Sequence, residues 1–155
     1  MKIDLGKNEL IHFVGIGGIG MSGLAIIMNG LGYKVQGSDI TNNRNIERLS
    51  EKKIKVFIKH KKENIKKTSM LVISSAIKKN NPEVIEAMKK NLPIYTRGDM
   101  LGHIVSFMRN VVVTGSHGKT TTTSLVASIF TSGNLDPTII NGCLLYTSDA
   151  ADDVV

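Results

Sequence analysis

The sequence predicts an α/β fold in which a Rossmann-like parallel sheet is followed by the first strand and helix of a phosphate-binding domain. Short apolar segments alternate with segments of helical periodicity along the 155 residues, which is typical of parallel βαβ units. Two glycine-rich turns, about one hundred residues apart, each lie between a predicted strand and a predicted helix. Together these observations favour a doubly wound sheet that binds nucleotides.

Each strand is predicted from a short apolar run that a turn residue or a helical segment terminates. The first run stops at a glycine cluster, and the fourth is apolar along its length, as expected for a strand covered on both faces. The predicted strands are residues 9–15, 34–39, 55–58, 70–76, 93–96 and 110–114. The predicted helices are residues 20–31 and 43–51, a helix that begins with Pro82 in its first turn, and residues 98–108 and 118–131.

Composition narrows the class of protein. With 41% hydrophobic and 21% charged residues, the chain is expected to be globular, with room for one domain or one domain and the start of a second. Cys143 is the single cysteine, which excludes an intrachain disulfide and a multi-cysteine zinc site. No apolar run reaches the roughly 18 residues of a membrane span, and the first residues do not resemble a signal peptide. We therefore expect a cytoplasmic protein without a membrane partner.

The formal net charge of +7 comes largely from lysines in residues 52–90. Nucleic-acid binding is one interpretation, because lysines neutralise phosphates. Arginine is scarce in this region and aromatic residues are not interleaved for base stacking. We therefore expect a solvated surface and no nucleic-acid partner.

The first glycine turn satisfies G-x-G-x-x-G directly after a strand and before a helix. Glycines there allow a tight turn and a close backbone approach, and the helix N-terminus offers N–H groups to a phosphate. Asp39 ends the second strand, 19 residues after Gly20, where an acidic side chain could accept hydrogen bonds from ribose hydroxyls. This turn predicts binding of a nucleotide diphosphate group, and by itself it is equally typical of an NAD-binding domain.

The second glycine turn, residues 115–121, is a shortened phosphate loop of the form G-x-x-G-K-T. The full Walker spacing needs a glycine at position 113, which is Val113. Lys119 is placed to contact the β- and γ-phosphates of ATP, and the hydroxyl of Thr120 to bind Mg²⁺. His117 is either a phosphate contact or a plain loop residue. Two nucleotide sites in one chain suggest an enzyme whose substrate carries one nucleotide while ATP supplies phosphoryl energy.

Several motifs of the chain, in the same order as in the family, resemble those of the bacterial Mur ligases. Within that family they resemble the branch that joins L-alanine to UDP-N-acetylmuramate. The resemblance covers residues 9–142 and is carried by residues 12–23, 37–39, 74–77, 81–83, 97–101, 114–122 and 135–142. It implies a Rossmann-like domain over residues 1–108 that holds the UDP-sugar. It further implies that residues 109–142 begin an ATP-binding central domain.

The resemblance also implies roles for individual residues. The diphosphate would be bound by the first turn and the helix after it, namely Gly15, Gly17, Gly18, Gly20, Met21 and Ser22. Asp39 would help to select the uridine half, Ser74 and Ser75 would border the same cleft, and a structural role is expected for His60 and Asn64. ATP would be held by Gly115, Ser116, His117, Gly118, Lys119, Thr120 and Thr121, with Lys119 catalytic and Thr120 a ligand of Mg²⁺.

The implied reaction belongs to peptidoglycan biosynthesis. ATP converts the lactyl carboxylate of UDP-N-acetylmuramate into an acyl phosphate, and the amine of L-alanine displaces phosphate to form the amide. The resemblance stops after Gly142, and no helical or strand period fits residues 143–155, so we expect these residues to be a non-native tail. On that interpretation the chain is an N-terminal fragment that binds UDP-N-acetylmuramate without ligating L-alanine.

Three alternatives remain open at this point. The first glycine turn alone is compatible with an NAD(P)-binding oxidoreductase domain, although the second turn and the lack of an evident hydride-transfer acid–base pair disfavour it. A non-enzymatic nucleotide-binding module is also compatible with the chain. Within the family, the nearest rival is the ligase that attaches recycled peptide to UDP-N-acetylmuramate, whose glycine turn differs from residues 17–22.

Overall fold

The computed structural model describes residues 6, 8–141 and 144–146. The chain divides into two compact units, the first ending at Met108 and the second beginning at Arg109. None of the helices in the described part of the chain combines the length and the apolar character needed to span a bilayer.

The first unit is built on a five-stranded parallel sheet with the order β3-β2-β1-β4-β5. Its strands are β1 Leu10–Val14, β2 Lys34–Asp39, β3 Lys55–Ile58, β4 Met70–Ile73 and β5 Ile94–Thr96. The helices between and after them are α1 Ile19–Gly30, α2 Arg44–Glu51, α3 Pro82–Lys89 and α4 Arg97–Phe107. A short 3₁₀ helix, Lys62–Ile65, follows β3 and was not predicted. The predicted α/β class with a Rossmann-like parallel sheet is confirmed.

Local sequence explains where the helices begin. Asn43 caps α2 by accepting a hydrogen bond from the N–H of Ile46, and Asn81 caps α3 in the same way. Thr96 and Asp99 form a reciprocal capping box at the start of α4. Buried apolar side chains of the strands and helices then form the core, with β1 at the centre of the sheet and its residues Ile11, Phe13 and Val14 fully buried.

The strand order reverses at β1. The chain places β2 and β3 on one side of β1 and then β4 and β5 on its other side. At the carboxyl edge, Val14 of β1 pairs with Ser38 of β2 on one side and with Ile73 of β4 on the other. Ligands of open α/β sheets bind in the crevice outside this edge, at the point where the strand order reverses. The fold therefore places the first glycine turn, which follows β1, at the expected ligand position.

The second unit contains α5 Lys119–Ser132 and an antiparallel pair, β6 Ile139–Asn141 and β7 Leu144–Tyr146. Residues 110–114, predicted as a strand, form none in the structure. A parallel strand exists only when neighbouring strands pair with it, and the β6–β7 sheet does not include this segment. Val111 and Val112 accordingly remain 60% and 70% exposed. The predicted strand was wrong because its apolar pattern lacks a partner here.

Two further predictions differ from the structure. The strand predicted over residues 70–76 ends at Ile73, because Ser74 starts a turn in which the N–H of Ile77 donates to the Ser74 carbonyl at 3.0 Å. No helical or strand period was found in residues 143–155, yet residues 144–146 form β7. The remainder of that predicted tail, residue 143 and residues 147–155, lies outside the described residues.

Candidate functional site

The first glycine turn is held in place by the carboxyl end of β2. The N–H groups of Gly15 and Ile16 both donate to the Ser38 carbonyl, at 2.8 and 3.0 Å. Gly15 has a φ of +80°, and a Cβ there would lie 3.1 Å from the Cβ of Ser74. A side chain at this position would therefore be both strained and crowded, which explains why the turn needs glycine.

Asp39 lies against the same turn. Its Oδ2 accepts a hydrogen bond from the N–H of Gly17 at 2.8 Å, and its Oδ1 accepts from the N–H of Ile40 at 2.8 Å. A Cβ on Gly17 would lie 2.9 Å from Asp39 Oδ2 and 2.9 Å from the Nδ2 of Asn43. The structure thus brings Asp39 to the glycine turn, where its carboxylate fixes backbone N–H groups.

Two asparagines that sequence reasoning missed complete this side of the turn. The Nδ2 groups of Asn43 and Asn45 donate to the Gly17 carbonyl at 3.3 and 2.8 Å. Both residues lie at the start of α2, directly after the loop that follows Asp39. Their signal in the sequence was the helix-capping position of Asn43, which marks a helix start close to the carboxyl edge of the sheet.

The first turn of α1 presents free N–H groups. Gly18 is the N-cap, and its carbonyl accepts from the N–H groups of Met21 and Ser22. The N–H groups of Ile19 and Gly20 have no acceptor among the described residues, as expected for the first residues of a helix. Met21 and Ser22 are buried, and the Ser22 hydroxyl donates to the Ile19 carbonyl at 3.0 Å. The two side chains therefore pack beneath the turn, and the N–H groups of Ile19 and Gly20 are the ones available to a ligand.

Arg97 was predicted only as part of the family motif of residues 97–101, yet its side chain reaches this turn. It is the first residue of α4, directly after β5, and a Cβ on Gly20 would lie 3.2 Å from its Cδ and from its Nη1. Among the described residues, no carboxylate lies within ion-pair distance of its guanidinium. A cation therefore lies beside the N-terminus of α1, where the helix dipole already favours an anion.

The segment after β4 borders the turn from the other side. The N–H of Ser74 donates to the Val14 carbonyl at 3.1 Å, and the Ser74 Oγ accepts from the N–H of Ala76 at 3.4 Å. Ser75 is exposed. The structure therefore brings Ser74 next to Gly15 and leaves Ser75 on the solvent side of the same segment.

His60 and Asn64, for which a structural role was expected, contact a buried carboxylate. The Nδ2 of Asn64 donates to Glu83 Oε1 at 2.6 Å, and the Nδ1 of His60 lies 2.9 Å from Ser38 Oγ and 3.2 Å from Glu83 Oε2. Sequence reasoning singled out Glu83 only within the motif of residues 81–83. Its burial depends on contacts between segments that are far apart in the chain.

The second glycine turn is an exposed loop before α5. Gly118, the N-cap of α5, has a φ of +76°, and Gly115 has a φ of +153°. The ammonium of Lys119 donates to the carbonyls of Gly115 and Ser116, at 2.6 and 3.2 Å. The Lys119 side chain therefore folds back over its own loop and binds the carbonyls at the start of the loop. The remaining predicted contacts, namely Ser116, His117, Thr120 and Thr121, are all exposed.

The composition of this loop fits a nucleotide phosphate with Mg²⁺. The exposed hydroxyl of Thr120 lies in the first turn of α5, behind the lysine, as in phosphate loops. Mg²⁺ in such sites takes one or two protein ligands and otherwise phosphate oxygens and water. Across the described residues, no cluster of three or more histidine, cysteine, aspartate or glutamate side chains could hold a metal without a nucleotide.

Comparison with known proteins gives consistent results. Residues 10–109 match the model of the Mur ligase family, catalytic domain. The chain is 68% identical over 145 residues to a UDP-N-acetylmuramate–L-alanine ligase of Pelagibacter ubique, covering 94% of this chain and 31% of the relative. It is 52% identical over 145 residues to the corresponding ligase of Brucella ovis, covering 94% of this chain and 30% of the relative.

Solved structures agree with these relatives. The UDP-N-acetylmuramate–alanine ligase of Thermotoga maritima superposes with a TM-score of 0.76 at 34% identity, over 85% of this chain and 31% of that one. A ligase from Neisseria meningitidis that acts on UDP-N-acetylmuramate and a tripeptide superposes with a TM-score of 0.73 at 30% identity, over 84% of this chain and 42% of that one. The chain spans about a third of the length of the curated relatives that it matches.

The match favours the ligase interpretation over the oxidoreductase alternative, since it extends well beyond a glycine turn that both classes share. It covers about two thirds of the chain and contains the whole parallel sheet together with the residues around the first turn. The chain therefore belongs to the Mur ligase family.

Proposed function

We propose that this chain is the nucleotide-sugar-binding part, with the first elements of the ATP-binding part, of a ligase that joins L-alanine to UDP-N-acetylmuramate. The observation that carries the proposal is 68% identity to such a ligase across both glycine turns. Among the solved structures, the alanine ligase is 34% identical to this chain and the tripeptide ligase 30% identical, so the high identity to the sequence relative is what favours L-alanine. Peptidoglycan biosynthesis in the cytoplasm is the proposed setting.

The first glycine turn supports a role in binding the diphosphate of the UDP-sugar. The free N–H groups of Ile19 and Gly20 and the guanidinium of Arg97 form one electropositive surface at the N-terminus of α1. Asp39 and Ser74 flank this surface, the first by fixing the N–H of Gly17 and the second by packing against Gly15. We assign the uridine end of the ligand to the side of Asp39 and α2.

The second glycine turn is proposed to bind ATP with Mg²⁺. Lys119 would exchange its contacts with the loop carbonyls for contacts with phosphate oxygens, which are stronger because both partners are charged. Thr120 would place its hydroxyl on the metal, and Mg²⁺ would supply neutralisation of phosphate charge. The proposed domain limits are residues 1–108 for the UDP-sugar and residues 109–142 for the start of the ATP-binding part.

The proposed reaction activates a carboxylate, which is a poor electrophile in its ionised form. The lactyl carboxylate of UDP-N-acetylmuramate takes the γ-phosphoryl group of ATP, and the amine of L-alanine then displaces phosphate. Lys119 is the residue of this chain proposed to stabilise charge on the transferring group. Since the chain spans about a third of its relatives, ligand binding is the property to test on it.

Calorimetric titration of the 155-residue chain tests the UDP-sugar site. UDP-N-acetylmuramate is expected to bind, whereas NADH is expected to give no saturable heat. Arg97→Ala should weaken UDP-N-acetylmuramate binding about tenfold or more, since a charge-assisted hydrogen bond contributes about 1.5–3 kcal/mol. Arg48→Ala, an exposed residue in the last turn of α2, is the matched control with equal change in net charge. Binding of NADH in place of the UDP-sugar, or equal losses in both variants, would contradict the proposal.

A separate titration tests the ATP site. ATP with Mg²⁺ is expected to bind the wild-type chain and to bind Lys119→Met at least tenfold more weakly, because the ammonium of Lys119 is then missing. Lys79→Met, an exposed lysine of the first unit, removes the same charge from another part of the chain. Unchanged ATP affinity in Lys119→Met would refute the assignment of this loop.

A further inference from the structure

The carboxylate of Glu83 lies in the first turn of α3 and is fully buried. Each of its oxygens has at least one hydrogen-bond donor from a different segment of the first unit. Oε2 contacts Ser38 Oγ at 2.6 Å, His60 Nδ1 at 3.2 Å and His12 Nε2 at 3.5 Å. Oε1 contacts Asn64 Nδ2 at 2.6 Å and Lys61 N at 3.4 Å. One side chain thus connects β1, β2, the segment after β3 and α3.

The carboxylate is ionised in this environment. Burial by itself raises the pKa of Glu83, but the contacts with His12, Ser38 and Asn64 outweigh burial and hold the pKa below its usual value of 4.5. The N-terminal turn of α3 adds a favourable dipole. Glu83 therefore acts as a hydrogen-bond acceptor on both oxygens.

The direction of each hydrogen bond follows from this. Ser38 donates its only hydroxyl proton to Glu83 at 2.6 Å, so the Nδ1–H of His60 donates to the oxygen of Ser38 at 2.9 Å. The Nε2 of Gln36 donates to the Asn64 carbonyl at 2.8 Å and to His12 Nδ1 at 3.1 Å. His12 consequently carries its proton on Nε2, which faces Glu83.

The network continues into the glycine turn through one residue. The side chain of Ser38 is fixed by Glu83, while its carbonyl accepts from the N–H groups of Gly15 and Ile16. The next residue, Asp39, accepts from the N–H of Gly17. Three consecutive N–H groups of the turn therefore donate to Ser38, which is hydrogen-bonded to Glu83, and to the residue after it.

A buried ionised carboxylate is not needed for stability alone, because apolar residues of similar volume often stabilise a core as well or better. We propose that Glu83 is a positioning residue of the nucleotide-sugar site, which acts through Ser38 to hold the first glycine turn in its ligand-binding conformation. The proposal rests on the proposed function, because the ligand is the UDP-sugar assigned to that turn. Removing either end of the Ser38–Glu83 hydrogen bond should weaken ligand binding at a distance.

The test compares Ser38→Ala and Glu83→Gln with Val84→Ala in the 155-residue chain. Val84 is the buried neighbour of Glu83 on α3, so its truncation destabilises the same helix without touching Ser38. Calorimetry with UDP-N-acetylmuramate is performed at a temperature at which each variant is folded, and amide chemical shifts of Gly15, Ile16 and Gly17 are recorded by NMR. The melting temperature of each variant is measured as well, so that ligand binding is compared between variants that have lost a similar amount of stability.

Ser38→Ala and Glu83→Gln are expected to raise the Kd at least fivefold and to shift the three turn amides, whereas Val84→Ala leaves both unchanged. Wild-type Kd values and unshifted amides in Ser38→Ala would overturn the proposal, even if Glu83→Gln does not fold. Equal effects in Val84→Ala would also overturn it, because general loosening would then explain them. If the wild-type chain does not bind the UDP-sugar, the proposed function fails, and the turn amides still decide whether Glu83 positions the turn.

Discussion

Gly37→Ala is expected to destabilise the first unit strongly. Gly37 lies in β2 opposite Phe13 of β1, and a Cβ at this position would lie 2.5 Å from Ile16 Cδ1, 2.6 Å from the Phe13 carbonyl oxygen and 2.8 Å from Ile16 Cβ. Ile16 is fully buried. The carbonyl belongs to the central strand of the sheet and cannot move without disturbing its pairing with both neighbours.

The magnitude follows from these contacts. Inserting one methyl group into a packed core typically costs about 1–3 kcal/mol, and a contact with backbone places this site at the upper end, near 3 kcal/mol. For a unit of about one hundred residues, about 3 kcal/mol corresponds to a fall in Tm of roughly 12 °C. Because Ile16 belongs to the first glycine turn, ligand binding should weaken as well.

Urea unfolding followed by circular dichroism, with amide hydrogen exchange in β1 and β2, measures the effect. Gly102→Ala is the matched control, because Gly102 is exposed in the middle of α4 and a Cβ there meets nothing within 4 Å. The control should gain about 0.5–1 kcal/mol of stability from its helix propensity. A Gly37→Ala chain within about 0.5 kcal/mol of wild type would refute the packing described for β1, β2 and Ile16.

Three further predictions concern capping and pH. Thr96→Ala removes the capping box with Asp99 and should cost about 1 kcal/mol in urea unfolding; no loss would show that α4 does not depend on this cap. Burial lowers the pKa of His103 below 6.5, so the free energy of unfolding of the wild-type chain should fall as the pH decreases below 6.5. In His103→Leu the free energy of unfolding should decrease less between pH 7.5 and 5.5. Equal pH dependence in both chains would contradict this assignment. The pKa of Glu83 is held below 4.5, so the ionised carboxylate stabilises the fold above pH 4.5 and this stabilisation is lost on further acidification. Unfolding curves of Glu83→Gln should lack that acid-induced loss. An unchanged loss in the variant would show that another group titrates.

Strand positions in the first unit could be predicted because their signals are local. The bounds of β2 and β3 agree with the sequence prediction, since each run ends at a turn or helix signal of its own. The fourth strand was predicted three residues too long, because Ser74, Ser75 and Ala76 continue its pattern while the backbone turns. The strand predicted over residues 110–114 depended on neighbours, and a local pattern carries no information about neighbours.

The candidate site was predicted only in part for a related reason. The glycine turn, Asp39 and Ser74 follow strands whose carboxyl ends share one edge of the sheet, so their proximity follows from the topology. Arg97 follows β5 at the same edge, but whether its side chain extends to Gly20 depends on how α4 packs against α1. No spacing rule supplies that distance.

The sequence by itself determined the α/β class, the two glycine-rich turns and the likeness to the Mur ligases, because glycine spacing and strand–helix alternation are written in adjacent residues. Only the tertiary structure decided that Asp39 fixes the backbone of the turn, that Arg97 lies beside the N-terminus of α1, and that Glu83 supports Ser38. Ser38 and Glu83 are 45 residues apart, and their 2.6 Å contact exists only because β2 and α3 are packed by the core around them. Burial then makes that hydrogen bond specific, since neither group has water to replace its partner.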